Sequence, residues 1–254
     1  MLIDITDKCS LECKHCLSSC TKDGQHMSEQ TFDDVITFLI KNELCDCILI
    51  SGGEPTEHPE FVQFLHRLVA RLKAEDVRSV ITITTNGFWC LDNPELAKSV
   101  VVNTDKIHVM WQVSTDTRYY PKDLPVHKKL WREPGFVLCE RCVEQVYPQG
   151  RALDNNLPWT AKASKCFNVR ALSKQLAYPT VTSVVKQLLN FKKFCTPRIN
   201  INGGISLGES RLCPTVATIY DDPAVIIEKI QQFKCHSCDH VNDQLSSLYK
   251  RFVD

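Results

Sequence analysis

The sequence predicts an α/β fold built on a parallel sheet, and three observations predict it. Strand and helix signals alternate from the first residues to about Ser114. The strand runs are short and apolar or β-branched, with helical stripes of ten or more residues between them. Several of these runs stop at glycine or asparagine turn signals. Such βαβα alternation implies parallel strands with helices packed outside.

Each element follows in order. Leu2–Thr6 is a strand that leads into a cysteine-rich loop. Ser28 caps a helix to about Glu43, with Phe32, Val35, Ile36 and residues 38–40 apolar at helical spacing. Cys47–Ser51 is a strand ending at Gly52-Gly53. Pro59–Lys73 is a helix with Phe61, Phe64, Leu65, Leu68 and Leu72 on one stripe. Ser79–Thr85 is a strand stopped by Asn86-Gly87. Asn93 and Pro94 are cap and first position of a short helix to Val100, and Ile107–Ser114 is the next strand. From Tyr119 to about Asn190 the pattern weakens, with a strand expected over Phe136–Val146 and a helix over Val181–Phe194. Arg198–Asn202 and Ile205–Leu207 flank Gly203-Gly204 as a hairpin, Pro223 opens a helix to Phe233, and Val241–Phe252 is a terminal helix. The change of pattern places a boundary near residue 190, giving units 1–190 and 191–254.

Composition narrows the function. The 254 residues carry 30 basic and 30 acidic side chains, so no charge excess points to nucleic acid or an anionic membrane. MLIDITDKC has no basic segment followed by an apolar run, and no apolar stretch approaches the ~20 residues of a membrane span. A cytoplasmic protein is expected. Fourteen cysteines at short spacings in a long, unsignalled chain point to metal ligation in a reducing compartment.

The first candidate site is Cys9, Cys13 and Cys16 in CSLECKHC. Three thiolates are one fewer than a [4Fe–4S] cluster takes, which leaves one iron open to another ligand. Cys20 extends the run to CX3CX2CX3C, close to a four-ligand ferredoxin run, but the first spacing is longer and Thr21 stands where that run has proline. A zinc site would show paired CxxC knuckles. Strand ends supply further candidates: Ser51-Gly52-Gly53-Glu54-Pro55, Thr85-Asn86-Gly87, and Ser114-Thr115-Asp116 with Arg118 close behind. Parallel barrels carry their sites at these carboxyl ends, although each run could also be an ordinary turn. The second candidate site is Cys195-x17-Cys213 followed by Cys235-x2-Cys238, four thiolates suited to a complete cluster or to a structural zinc. Cys139-x2-Cys142, with Cys166 and Cys20, is either a further metal site or a set of free thiols.

The CX3CX2C run resembles the CxxxCxΦC motif of the radical S-adenosylmethionine (SAM) superfamily, with His15 at Φ. The resemblance implies a partial (β/α)6 TIM-like barrel, trimmed by the short middle of the chain. It implies a [4Fe–4S] cluster on Cys9, Cys13 and Cys16, with SAM on the open iron. Gly52, Gly53, Glu54 and Pro55 match the superfamily's GGEP, which would hold the SAM amino group. Asn86, Ser114 and Asp116 would line the SAM ribose and carboxylate, and Arg118 would meet the carboxylate. Gly150-Arg151-Ala152 resembles a GRA run of related maturases, against the plain alternative of a solvated arginine.

The CX12GX4C spacing through Gly208 resembles the opening of SPASM and twitch extensions. With no cysteine after Cys238, the shorter twitch form fits, with one auxiliary [4Fe–4S] cluster on Cys195, Cys213, Cys235 and Cys238. This layout is similar to that of twitch dehydrogenases of 2-deoxy-scyllo-inosamine. The implied function is radical oxidation of a small-molecule, sugar-like or nucleotide substrate, with flavodoxin or ferredoxin as electron donor. A peptide-modifying enzyme and a non-enzymatic electron-transfer protein are the alternatives. The near-immediate start of the cysteine motif leaves no room before it for a peptide-recognition domain, which favours the small molecule.

Overall fold

The computed structural model describes residues 1–91, 93–114, 120–121, 135–139, 150–158, 180–183, 185, 197–207 and 214–233. Its strands are β1 (Leu2–Thr6), β2 (Cys47–Gly52), β3 (Ser79–Thr85), β4 (Val102–Asn103), β5 (Ile107–Ser114), β6 (Phe136–Cys139), β7 (Arg198–Ile199), β8 (Gly204–Ser206) and β9 (Thr215–Thr218). Its helices are α1 (Glu29–Lys41), α2 (Phe61–Ala74), α3 (Pro94–Ser99), α4 (Arg151–Asp154) and α5 (Pro223–Gln232). Among the described residues all nine strands form one sheet, and six of them run parallel in the order β7-β1-β2-β3-β5-β6. The predicted α/β fold on a parallel sheet is therefore observed. Strands β4, β8 and β9 are antiparallel additions.

Strand β1 is buried at all five positions because it lies between β2 and β7 with both faces covered. Helix α1 begins where Ser28 accepts a hydrogen bond from the Thr31 N–H at 3.1 Å. It packs on α2 through Phe32 and Phe64, whose rings stack at 4.2 Å. The predicted α2 starts two residues early. His58 accepts from the Glu60 N–H at 3.0 Å through Nδ1, and its Nε2 bonds the Met27 carbonyl at 2.9 Å, so residues 58–60 are held outside the helix. Asn93 caps α3 through Leu96 N–H at 3.1 Å, and Asp222 caps α5 through Ala224 N–H at 2.8 Å.

The predicted hairpin forms, with shorter strands. Asn200 Oδ1 accepts from the N–H groups of Asn202 and Gly204, which turns the chain directly after β7. Sequence patterning missed β4, only two residues long, and β9. The strand expected over Phe136–Val146 is seen as far as Cys139, and residues 181–183 and 185 of the helix expected over Val181–Phe194 are helical; the rest of both lies outside the described residues, as does the helix expected over Val241–Phe252.

Strand β7 pairs with β1 in the register Leu2↔Arg198 and Ile3↔Ile199, so the hairpin extends the sheet of the first hundred residues. A buried ion pair reinforces this seam: Arg198 Nε lies 3.2 Å from Asp4 Oδ2, with both side chains 7% exposed. Among the described residues no helix is long and apolar enough to cross a membrane.

Candidate active site at the ends of the parallel strands

The cysteine loop leaves β1 and is stitched to the end of β2 through the backbone. Gly53 N–H donates to Thr6 O at 2.7 Å, and Glu54 N–H donates to Lys8 O at 2.8 Å. This approach is so close that a Cβ at Gly53 would sit 1.9 Å from Lys8 O. On the other side Cys9 N–H donates to Thr21 O at 2.8 Å. Glu57, in the short 3₁₀ turn Pro55–Glu57, accepts from both the N–H and the hydroxyl of Ser10 at 2.7 Å. The glycines and the glutamate of the GGEP run thus place the loop before any ligand arrives.

Glu54 joins the ends of two strands. It is 2% exposed. Its Oε1 accepts from the Thr56 and Thr85 hydroxyls at 2.8 Å each, and its Oε2 accepts from Asn86 N–H at 2.8 Å. Burial pushes its carboxyl up to about 7, against the lowering effect of these donors. A cation brought beside it would favour its ionised form. Pro55 is buried at the start of the 3₁₀ turn behind it.

These contacts open a cavity of about 440 Å³. Cys9, Cys13, His15 and Cys16 line it from the loop, with Gly52, Gly53 and Glu54 from the end of β2. Asn86 and Ser114 line it from the ends of β3 and β5, and Asp4 from β1. Residues predicted far apart in sequence therefore meet around one space. Sequence reasoning missed Tyr120, which also lines the cavity and stacks on the His15 ring at 5.7 Å, 21° from coplanar. Tyr120 packs in turn on Phe88 at 5.9 Å. Among the predicted residues, Asp116, Arg118, Cys195, Cys213, Cys235 and Cys238 lie outside the described residues, as do Cys142 and Cys166.

The donor set suits a multi-iron group. Burial pushes the Cys9 thiol up to about 11 and the Cys13 thiol up to about 12. Glu54, Glu57 and Cys16 add to the first shift, and Cys9 and Cys16 add to the second. Cys16 moves the other way, first through a hydrogen bond with the Cys20 thiol, with the Arg151 charge also contributing. Cys20 is buried, and its sulfur also lies 3.6 Å from Gly52 O. Among the described residues no three His, Cys, Asp or Glu side chains gather as they would around a single metal ion. Cys9, Cys13 and Cys16 stand around one shared space, and three thiol donors on one cavity are a set that a cluster with an open iron can use. Positive iron beside these sulfurs would favour their ionised form, against the burial that raises Cys9 and Cys13.

Helix α4 closes the loop from a distant part of the chain. Arg151 N–H donates to Cys16 O at 3.0 Å, its Nε donates to Cys13 O at 3.0 Å, and Asn155 Nδ2 donates to Lys14 O at 3.0 Å. Gly150 adopts φ +55°, and a Cβ there would lie 2.4 Å from Leu17 O. The reading of Arg151 as a solvated arginine is therefore corrected: its side chain is seated on the cysteine loop.

A parallel α/β sheet whose strand ends gather three cysteines and a GGEP turn around one cavity defines a class of cluster-dependent enzyme. The model of the radical SAM superfamily matches residues 3–135, just over half of the chain, and the chain belongs to that superfamily. Its cofactors are those of the superfamily, a [4Fe–4S] cluster and SAM. No curated protein matches the sequence. Among solved structures the chain is similar to BtrN in complex with AdoMet and 2-DOIA, with TM-score 0.53 and 13% identity over 91% of this chain and 84% of that one. It is similar to native anSMEcpe with bound AdoMet and Cp18Cys peptide, with TM-score 0.52 and 13% identity over 92% and 80% of the two chains. At this identity the likeness is one of fold.

Proposed function

We propose that this radical SAM enzyme oxidises a small-molecule, sugar-like or nucleotide substrate, and that Cys9, Cys13 and Cys16 hold its SAM-cleaving cluster. The observation that carries the assignment of the site is the single cavity shared by those cysteines with Gly52, Gly53, Glu54, Asn86 and Ser114. When bound, a cluster with an open iron supplies the electron that splits SAM into methionine and a hydrogen-abstracting 5′-deoxyadenosyl radical. The chain's own residues then have distinct tasks. The backbone at Gly52 and Gly53 lets the end of β1 and the cysteine loop pack closely on the rim of the cavity, and Glu54 places negative charge where the SAM ammonium would lie. His15 and Tyr120 offer a flat aromatic wall. Asp116 and Arg118 would complete the contacts to SAM.

The oxidative outcome rests on Cys195, Cys213, Cys235 and Cys238, which would ligate every iron of a second cluster. Those four thiolates would hold a group able to accept one electron, which is what a two-electron oxidation begun by hydrogen abstraction requires. The fold likeness to BtrN, solved with 2-DOIA, supports this reading. The likeness to anSMEcpe, solved with a peptide, keeps peptide modification as the second reading. Flavodoxin or ferredoxin is the proposed electron donor.

The test is anaerobic reconstitution with SAM and dithionite. Wild-type protein is expected to form 5′-deoxyadenosine and Cys13→Ala to form none. Wild type should hold about eight irons per chain, and a Cys235→Ala/Cys238→Ala variant about four while still cleaving SAM. Wild type already at about four irons would remove the second cluster. Deuterium transferred from a labelled peptide, and from no small polyol or aminopolyol, would favour the peptide reading.

A further inference from the structure

Arg151 brings a positive charge to the three-cysteine loop from 138 residues further along the chain. Its backbone N–H and its Nε are fixed on the carbonyls of Cys16 and Cys13. Its Nη2 is buried and has no hydrogen-bond partner among the described residues. A guanidinium remains charged and carries five N–H donors. Burying part of it unpaired is unfavourable unless an anion lies alongside.

We propose that Arg151 is the charge-setting and positioning residue of this site: it gives the thiolate-held cluster a cation and a buried N–H donor, and so makes the cluster easier to reduce. The proposal rests on the assignment of Cys9, Cys13 and Cys16 as the cluster ligands. The step it favours is uptake of one electron from an external reductant, dithionite in the assay or a small electron-transfer protein. No bond forms or breaks in that step. Reduction adds negative charge beside the guanidinium, which stabilises the reduced form.

The test compares full-length wild type, Arg151→Gln, Arg151→Lys and Asn155→Ala after anaerobic reconstitution. Iron content is measured, and the reduction potential is followed by electron paramagnetic resonance on the signal that changes when SAM is added. That signal separates this cluster from any other. Arg151→Gln is expected to keep its iron and to shift the reduction equilibrium at least about tenfold toward the oxidised form, about 59 mV for a one-electron couple. Arg151→Lys should recover most of the shift. Asn155→Ala, which loses a loop hydrogen bond but no charge, should leave the potential unchanged.

A wild-type potential in Arg151→Gln overturns the proposal, and so does an equal shift in Asn155→Ala. If Arg151→Gln loads no iron, Arg151→Lys decides: full iron at the wild-type potential supports a role of charge, and loss of iron there too overturns it. A wild-type chain with no SAM-sensitive signal overturns the ligand assignment itself, which is a separate failure.

Discussion

At the scale of single residues, the site depends on groups with no slack. Gly53 has no space for a methyl group, since its Cβ would lie 1.9 Å from a backbone oxygen. Gly53→Ala is expected to destabilise the fold by about 1–3 kcal/mol and to weaken SAM binding, measured by urea unfolding and by equilibrium binding to the reconstituted enzyme. His58 makes a second prediction. Its ring nitrogens are committed to Met27 O and Glu60 N–H, and the His26 ring meets its edge at 5.0 Å. Burial holds its pKa below the ordinary value of 6.5, with the His26 charge adding to the effect. The folded state therefore binds this proton less readily than the unfolded chain. The stability His58 contributes is present above about pH 6.5 and falls as pH drops below it, at up to about 1.4 kcal/mol per pH unit. His58→Gln should flatten that slope in urea titrations between pH 5 and 7, and an unchanged slope would sink the assignment.

At the scale of elements, the seam between β1 and β7 depends on a buried ion pair. Arg198→Met leaves Asp4 buried without its cation and is expected to lose about 3–5 kcal/mol of stability. Asp4→Leu combined with Arg198→Met should recover most of that loss, and denaturant midpoints of the two variants check it. Helix ends and strand limits were legible in the sequence wherever the signal is local. Ser28 and Asn93 accept the cap bonds that their positions imply, Pro223 opens its helix, and β3 and β5 span the residues their patterns mark. The first turn of α2 was misread because the competing bonds come from the side chain of His58 and from Met27, 31 residues earlier. Helix α4 spans four residues and carries no periodicity, so beyond the GRA resemblance nothing local announced that it docks on the cysteine loop.

At the scale of the whole molecule, the half of the site built from strand ends was legible because parallel βα units deliver their carboxyl ends to one rim. Once the cysteine run and the GGEP run were each placed after a strand, their meeting followed from the fold class. Tyr120 was not legible as a site residue, and for Arg151 the GRA run was only a hint that did not say where the side chain sits, since each reaches the loop through tertiary packing. Cys9→Ala should therefore abolish 5′-deoxyadenosine formation yet leave the sheet intact, with far-ultraviolet circular dichroism and urea midpoints near those of wild type. Joint loss of fold and activity would mean that the loop is structural first.

The bonds from α4 back to the cysteine loop also set an order of events during synthesis. The loop leaves the ribosome 138 residues before Arg151. At elongation rates of about 5–20 residues per second, that is a delay of roughly 7–28 seconds. For that interval Cys9, Cys13 and Cys16 belong to a nascent chain whose closing helix does not yet exist. Iron delivered during the delay meets a loop that is still untied on that side; iron delivered after it meets a finished cradle. The distance between residues 13 and 151 thus fixes how long the loop waits for its closing arginine.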